Sequence, residues 1–248
     1  MRRAISLAVL LLVPGSMSAQ TLAQRVGAVA EGTVRVSFAA RPGTCGNGDN
    51  GVSIRSSTDE WEPECRRSLV RVALRIAGHR VRSVKTYVGG RWRSDSSVTD
   101  LGTVSVHEAA PYFISIAERD GEEGVARDAI LPSALADSVT IWPSLVRLAR
   151  NPHLQQEVRG QAVFWLSQAA GAEAGQALDS IALDNGGSRE VRKQAIFALA
   201  QRADSEGVPA LIRIARTNAD SELRKSALFW LGQSEDARAI DLFEELLR

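Results

Sequence analysis

The sequence predicts an α+β N-terminal domain followed by an all-α solenoid of about four antiparallel helix pairs. Three observations carry that prediction. Residues 157–168 (EVRGQAVFWLSQ), 190–201 (EVRKQAIFALAQ) and 222–233 (ELRKSALFWLGQ) are versions of one helical segment, starting 33 and then 32 residues apart. Upstream, residues 68–88 alternate apolar and polar side chains with a period of two, the signature of paired strands. From about Arg127 that alternation disappears. A helical unit that recurs in this way cannot bury its apolar side alone and must stack on its copies.

The first element is a leader. Arg2 and Arg3 supply a positive end, residues 4–14 a short apolar run, and residues 15–19 (GSMSA) the small side chains that precede a signal-peptide cut near Ala19. The run is far shorter than the roughly 20 residues a membrane span needs, so residues 1–19 read as a cleaved export signal rather than an anchor. The expected location is periplasmic or extracellular. Cys45 and Cys65 are the only cysteines. In an oxidising compartment they are expected to form a disulfide, which would stabilise the fold by roughly 3 kcal/mol through closure of a loop of about 20 residues. The rest of the composition is that of an ordinary soluble protein: 248 residues, 44% hydrophobic, 24% charged, net charge +1.

Residues 20–126 form the α+β domain. A short helix is expected at 21–31 and a strand at 33–41, where Val34, Val36 and Phe38 alternate with polar partners. Residues 42–63, rich in Gly, Asn, Asp and Ser, read as a long loop. Residues 68–77 place Val70, Val72, Leu74 and Ile76 on one face and Arg71, Ala73 and Arg75 on the other. Gly78 and His79 turn the chain, 80–88 returns as the second strand of a hairpin, and Gly89–Gly90 closes the pair. A short strand at 101–106 and a helix at 107–119 complete the domain before the break at Asp120-Gly121.

Residues 127–248 are the helical part. Pairs fall at 127–137 with 141–150, 155–168 with 172–184, 188–202 with 206–217, and 221–233 with 236–247. The second members repeat as well: 142–150 (WPSLVRLAR) resembles 208–216 (VPALIRIAR), with Pro143 and Pro209 in the first turn, where a missing N–H costs little. Ser188 and Asp220 stand at N-cap positions. In the first members Val158, Ala162, Trp165 and Leu166 recur as Val191, Ala195, Ala198 and Leu199, then as Leu223, Ala227, Trp230 and Leu231. Phe164, Phe197 and Phe229 take a second side, so the helices are apolar over most of their circumference and the stack is expected to cover all three rings.

The form D-x-x-[LV]-R-x-x-A-[LIV]-x-x-L-[GA] is matched closely at 220–232 (DSELRKSALFWLG) and at 188–200 (SREVRKQAIFALA). In this the chain resembles the HEAT-like repeats, in the short form first noted in phycobilisome lyases. The resemblance spans roughly residues 127–248 and implies the fold. The ankyrin T-P-L-H and the tetratricopeptide Trp, Leu-Gly and Tyr patterns are absent. Because that family includes scaffolds, lyases and hydroxylases, the resemblance leaves the activity open.

Several constellations are candidates for function. In HEAT-like repeats the second helices line the concave face, which puts Arg147, Arg150, Arg213 and Arg216 at equivalent places there. Arginine captures carboxylate or phosphate bidentately, so these four are the candidate contacts for a protein partner. Arg159, Arg192 and Arg224 share one repeat position and are expected to pair with acidic residues of neighbouring repeats. Between Arg66 and Arg93 there are nine Arg or Lys and no acid, which makes Arg71, Arg75, Arg80, Arg82 and Lys85 the alternative site, for a polyanion. Residues 20–126 nevertheless hold 14 basic and 13 acidic side chains, so nucleic acid is not the expected partner.

Catalysis has little behind it: three histidines, no H-E-x-x-H, no G-x-S-x-G and no Walker loop. His107-Glu108 is a lone pair, and 46–51 (GNGDNG) has one acid, too few for calcium. No cofactor or metal is expected. The expected function is that of a non-enzymatic binding or scaffold protein of the cell envelope. The alternatives are polyanion binding through residues 66–93 and a lyase-type enzyme built on the repeats.

Overall fold

The computed structural model describes residues 20–41, 44, 61–62, 69–119, 123–169, 172–202 and 205–248. The leader, Cys45, Cys65 and the 46–51 segment lie outside the described residues. A region built on a sheet is followed by a helical region.

Helix α1 (Leu22–Gly27) is fixed at its start by a capping box between Thr21 and Gln24, and Glu108 accepts from the Leu22 amide. Strands β1 (Glu31–Ala39), β3 (Leu69–Ala77), β4 (Arg80–Val88) and β6 (Val98–Thr103) form one sheet in the order β4-β3-β1-β6, with β6 parallel to β1 and the other pairs antiparallel. The hairpin between β3 and β4 turns on Gly78 and His79, both at φ 59°, the left-handed pair that a two-residue turn of matching twist requires. Its tip rests against the end of α1 and the chain just after it, where the His79 amide donates to the Ala30 carbonyl at 3.1 Å.

One face of the sheet follows the alternation read from the sequence. Val34, Val36, Phe38, Val70, Val72, Leu74 and Ile76 are all buried against α2 (Val106–Ala117), and the Phe38 and Phe113 rings meet at 5.9 Å. Part of the other face, around Ala73 and Tyr87, is covered by a feature that was expected to be loop. Strands β2 (Trp61–Glu62) and β5 (Arg91–Trp92) pair as a small ribbon, and Trp92 lies edge-on to Tyr87 at 5.3 Å.

The first expected helix of the helical region, 127–137, is two short ones, α3 (Glu123–Asp128) and α4 (Ile130–Ala134). Pro132 explains the break, because it has no amide to give the Asp128 carbonyl and its ring crowds that oxygen. Backbone bonds stitch this junction to the sheet: Arg41 N donates to the Leu135 carbonyl at 2.9 Å and Asp137 N to that of Ala39 at 3.0 Å.

Seven longer helices follow: α5 (Trp142–Arg150), α6 (Gln156–Ser167), α7 (Ala172–Ala182), α8 (Arg189–Ala200), α9 (Val208–Thr217), α10 (Ser221–Gly232) and α11 (Ala237–Leu246). Helices α6, α8 and α10 pack side by side in one row; α5 packs on α7, and α9 on α11, in a second. The closest partnerships are α5 with α6, α7 with α8 and α9 with α10, so each second helix sits tightest against the first helix of the following unit. The repeat positions Val158, Ala162, Leu166 and their counterparts Val191, Ala195, Leu199, Leu223, Ala227 and Leu231 are all at most 3% exposed. They belong to one hydrophobic core that extends from Leu22 to Leu242.

The expectation for the phenylalanines fails. Phe164, Phe197 and Phe229 are 46%, 42% and 58% exposed. Each stands two residues beyond the buried alanine, about 200° around a helix of 3.6 residues per turn, and so points away from the neighbours that cover Ala162, Ala195 and Ala227. The alanine side carries the buried packing between helices, and the rings meet at most the edge of a neighbouring tryptophan.

Candidate functional site

The four arginines proposed as partner contacts are all exposed, but three of them reach along their own row of helices and Arg147 reaches back to the end of α2. Arg147 pairs with Glu118 at 3.0 Å, Arg213 with Asp179 of α7, and Arg216 with Glu245 of α11. Arg150 donates to Ser180 Oγ at 2.8 Å and meets a hydroxyl in place of a carboxylate. The contacts follow the repeat: Arg150 reaches the residue 30 positions on and Arg216 the residue 29 positions on. Surface pairs of this kind hold geometry at little gain in stability, about 0 to 1 kcal/mol each. Three of these four charges are already neutralised by neighbours.

The shared position of Arg159, Arg192 and Arg224 behaves differently from the expected acid pairing. Arg192, 6% exposed, donates to the Ala182 carbonyl at 3.0 Å and to Asn185 and Asn218 Oδ1, both at 3.2 Å. Arg224 donates to the carbonyls of Asn218 and Ala219. These guanidinium groups tie the connections between helices, because a loop carbonyl at the end of a helix lacks an intrahelical donor. Arg159 Nε is buried and has no hydrogen-bond partner among the described residues.

The basic residues of the hairpin do not gather into one patch. Arg71 is buried, with Nε donating to the Gly90 carbonyl at 3.1 Å. Beside it the Arg35 guanidinium stacks 4.5 Å over the Trp92 ring and donates to the Arg93 carbonyl at 2.9 Å. Arg75 and Lys85 are exposed further along the same sheet face. A register shift after Arg75 separates them from Arg80 and Arg82, which line a cavity of about 630 Å³ together with His79, Tyr112 and Arg119. Burial there pushes the Tyr112 hydroxyl up to about 12.

The exposed aromatic row is the feature that the residue pattern did not disclose. Phe164 on α6, Phe197 on α8 and Phe229 on α10 occupy one repeat position on three adjacent helices. Half-buried tryptophans support them: Trp165 meets Phe164 at 5.2 Å, and Trp230 meets Phe197 and Phe229 at 5.0 Å each. One turn further on, Gln168, Gln201 and Gln233 are all exposed and run parallel to the rings. At the end of this row Trp230, Gln201 and Gln233 border a cavity of about 200 Å³ between α8, α9 and α10. The signal for the row was present in the angular spacing: a residue two places from the small buried position cannot share its face.

Nearby charges serve the helix ends. Hydrogen bonding to Arg189 holds the Asp220 carboxyl below its ordinary value while Asp220 caps α10, and Arg238 holds Asp236, the cap of α11, down to about 2. Among the described residues no three His, Cys, Asp or Glu side chains stand together as a metal site would need. No helix among them is long and apolar enough to cross a membrane.

A search of curated proteins finds no match to the chain. The family model for HEAT repeats matches residues 180–248, which takes in all of α8, α9, α10 and α11. Over that stretch the chain is similar to HEAT repeats, and the match supports a HEAT-like repeat protein.

Proposed function

We propose that this protein is an exported, non-enzymatic binding protein whose helices stack as a HEAT-like solenoid and hold a segment of a partner protein across α6, α8 and α10. The observation that carries the reading is the row of Phe164, Phe197 and Phe229, left between 42% and 58% exposed at one repeat position. Exposed rings in a contiguous row are unusual on a surface that touches only water. Aromatic anchors ringed by polar side chains are what protein contacts use. The glutamine row beside the rings offers amide donors and acceptors to an extended backbone. HEAT repeats commonly mediate protein–protein contact, which is compatible with a protein as the ligand. Export rests on the pattern of residues 1–19 and on the pair Cys45 and Cys65.

The arginine row is the weaker surface, because Glu118, Asp179 and Glu245 already occupy Arg147, Arg213 and Arg216. The two surfaces are separated by one experiment. A photo-crosslinking residue is placed at Gln201, beside the rings, and at Ser144, beside Arg147, and the mature protein is exposed to envelope extract. A single partner crosslinked from 201, lost in the Phe164→Ser, Phe197→Ser, Phe229→Ser triple variant with the melting temperature unchanged, is the expected result. Crosslinking from 144 that is lost when the four arginines become glutamate, with the triple variant unaffected, would reassign the site to the arginine row.

A further inference from the structure

We infer that Arg150, Arg159 and Arg192 form a binding site for a phosphate-type dianion, distinct from the aromatic row. The site follows from one irregularity in the repeat. Arg192 Nη2 donates to Asn218, 26 positions on, in the next connection between helices. The residue 26 positions beyond Arg159 is Asn185, the same side chain in the same kind of connection. Asn185, however, is exposed and accepts from Arg192 instead. The connection from α7 to α8 runs over 183–188 and includes Gly186 and Gly187, whereas that from α9 to α10 is only 218–220. The longer loop carries Asn185 away, and Arg159 loses the partner that its equivalent retains.

What remains is a cavity of about 300 Å³ at the N-terminal ends of α6 and α8. The charged side chains that line it are Arg150, Arg159, Arg192 and Asp184. Among the described residues, Arg159 Nε is buried there without a hydrogen-bond partner and Arg150 has only the Ser180 hydroxyl. The single carboxylate, Asp184, accepts from the Gly186 amide at 3.0 Å through Oδ1. Three guanidinium groups against one carboxylate leave a surplus of two positive charges, the complement of a phosphate monoester. A buried donor on a cation without an acceptor is costly, and an incoming oxyanion relieves that cost by supplying an acceptor to the Arg159 guanidinium. The volume suits a small anionic group, at the lower end of ligand cavities.

The test is calorimetric titration of the full chain with inorganic phosphate, sulfate and acetate, alongside the Arg159→Met and Arg150→Met variants. Phosphate is expected to bind, with affinity reduced at least about tenfold in either variant and little changed in Arg147→Met, which lies outside the cavity. As pH falls through the second ionisation of inorganic phosphate and the dianion is lost, binding should weaken. Without ligand, Arg159→Met should keep or raise the melting temperature, since an apolar chain replaces an unsatisfied buried donor. Arg150→Met changes an exposed residue, so it keeps the test open should Arg159→Met misfold. Failure of the unaltered protein to bind phosphate, acetate binding as tightly as phosphate, or full binding by both cavity variants would each overturn the assignment.

Discussion

The two outward faces of this molecule treat aromatic residues in opposite ways. On the sheet, Tyr87 is roofed by Trp92 from the β2–β5 ribbon, flanked by the Arg35 and Arg71 guanidinium groups, and left 2% exposed. On the helices, Phe164, Phe197 and Phe229 are left 46%, 42% and 58% exposed. Sheet packing needs two covered faces only if both are apolar, and here a dedicated ribbon supplies the second cover. A row of helices packed on another row has one side with no neighbour, and burying the rings would need a third layer. The contrast teaches that the open face is not forced by a shortage of apolar side chains. The same chain covers one aromatic cluster and leaves another free.

The largest expected effect breaks the covered side. Trp92→Ala removes the roof of Tyr87 and the surface on which Arg35 stacks, and should cost about 3 kcal/mol in urea unfolding. A loss below about 1 kcal/mol would mean that the ribbon does not cover the sheet in solution. The next comparison lies within a single helix. Leu199→Ala, at a site 2% exposed, should cost about 3 kcal/mol, whereas Phe197→Ala two residues earlier should cost less than about 1 kcal/mol. Equal losses would mean that the ring is buried after all. The smallest effect concerns acid. The Asp236 carboxyl is depressed from 3.8 to about 2 by its hydrogen bonds to Arg238 and the α11 amide, so its contribution is complete above pH 3.8 and is lost as pH falls through about 2. Asp236→Asn should flatten the acid loss of helical signal across that window by removing the contribution at neutral pH, with a small drop in neutral stability, as circular dichroism at 222 nm can check.

Much of the fold was legible because period and packing agree. The 68–77 and 80–88 strands are β3 and β4 to within one residue, and the three repeated segments are α6, α8 and α10. The split at Asp128 was equally present in Pro132 but hidden inside an apolar stretch. The β2–β5 ribbon was not legible, since Trp61 lies in a polar stretch and pairs with a residue 31 positions away only through tertiary structure. The aromatic row was misread because hydrophobicity was taken to mean burial. On α8, Ala195 at 0% and Phe197 at 42% exposed reverse what their hydrophobic areas suggest. The arginine-lined pocket depends on the longer connection at 183–188, six residues against three at 218–220, a difference that the near-constant spacing of the repeats hides.

The backbone stitches between β1 and the exit of α4 give the array a polarity. Ala39 and Arg41 hold residues 135–137 in register with a rigid sheet, so the helices nearest that seam inherit its frame of reference. Inserting another 32-residue unit after α8 would therefore leave α5 and α6 where they are and carry α10 and α11 outward, moving Phe229 away from Phe164 by one helix spacing. Such a chain would be a ruler, with the sheet as its zero mark.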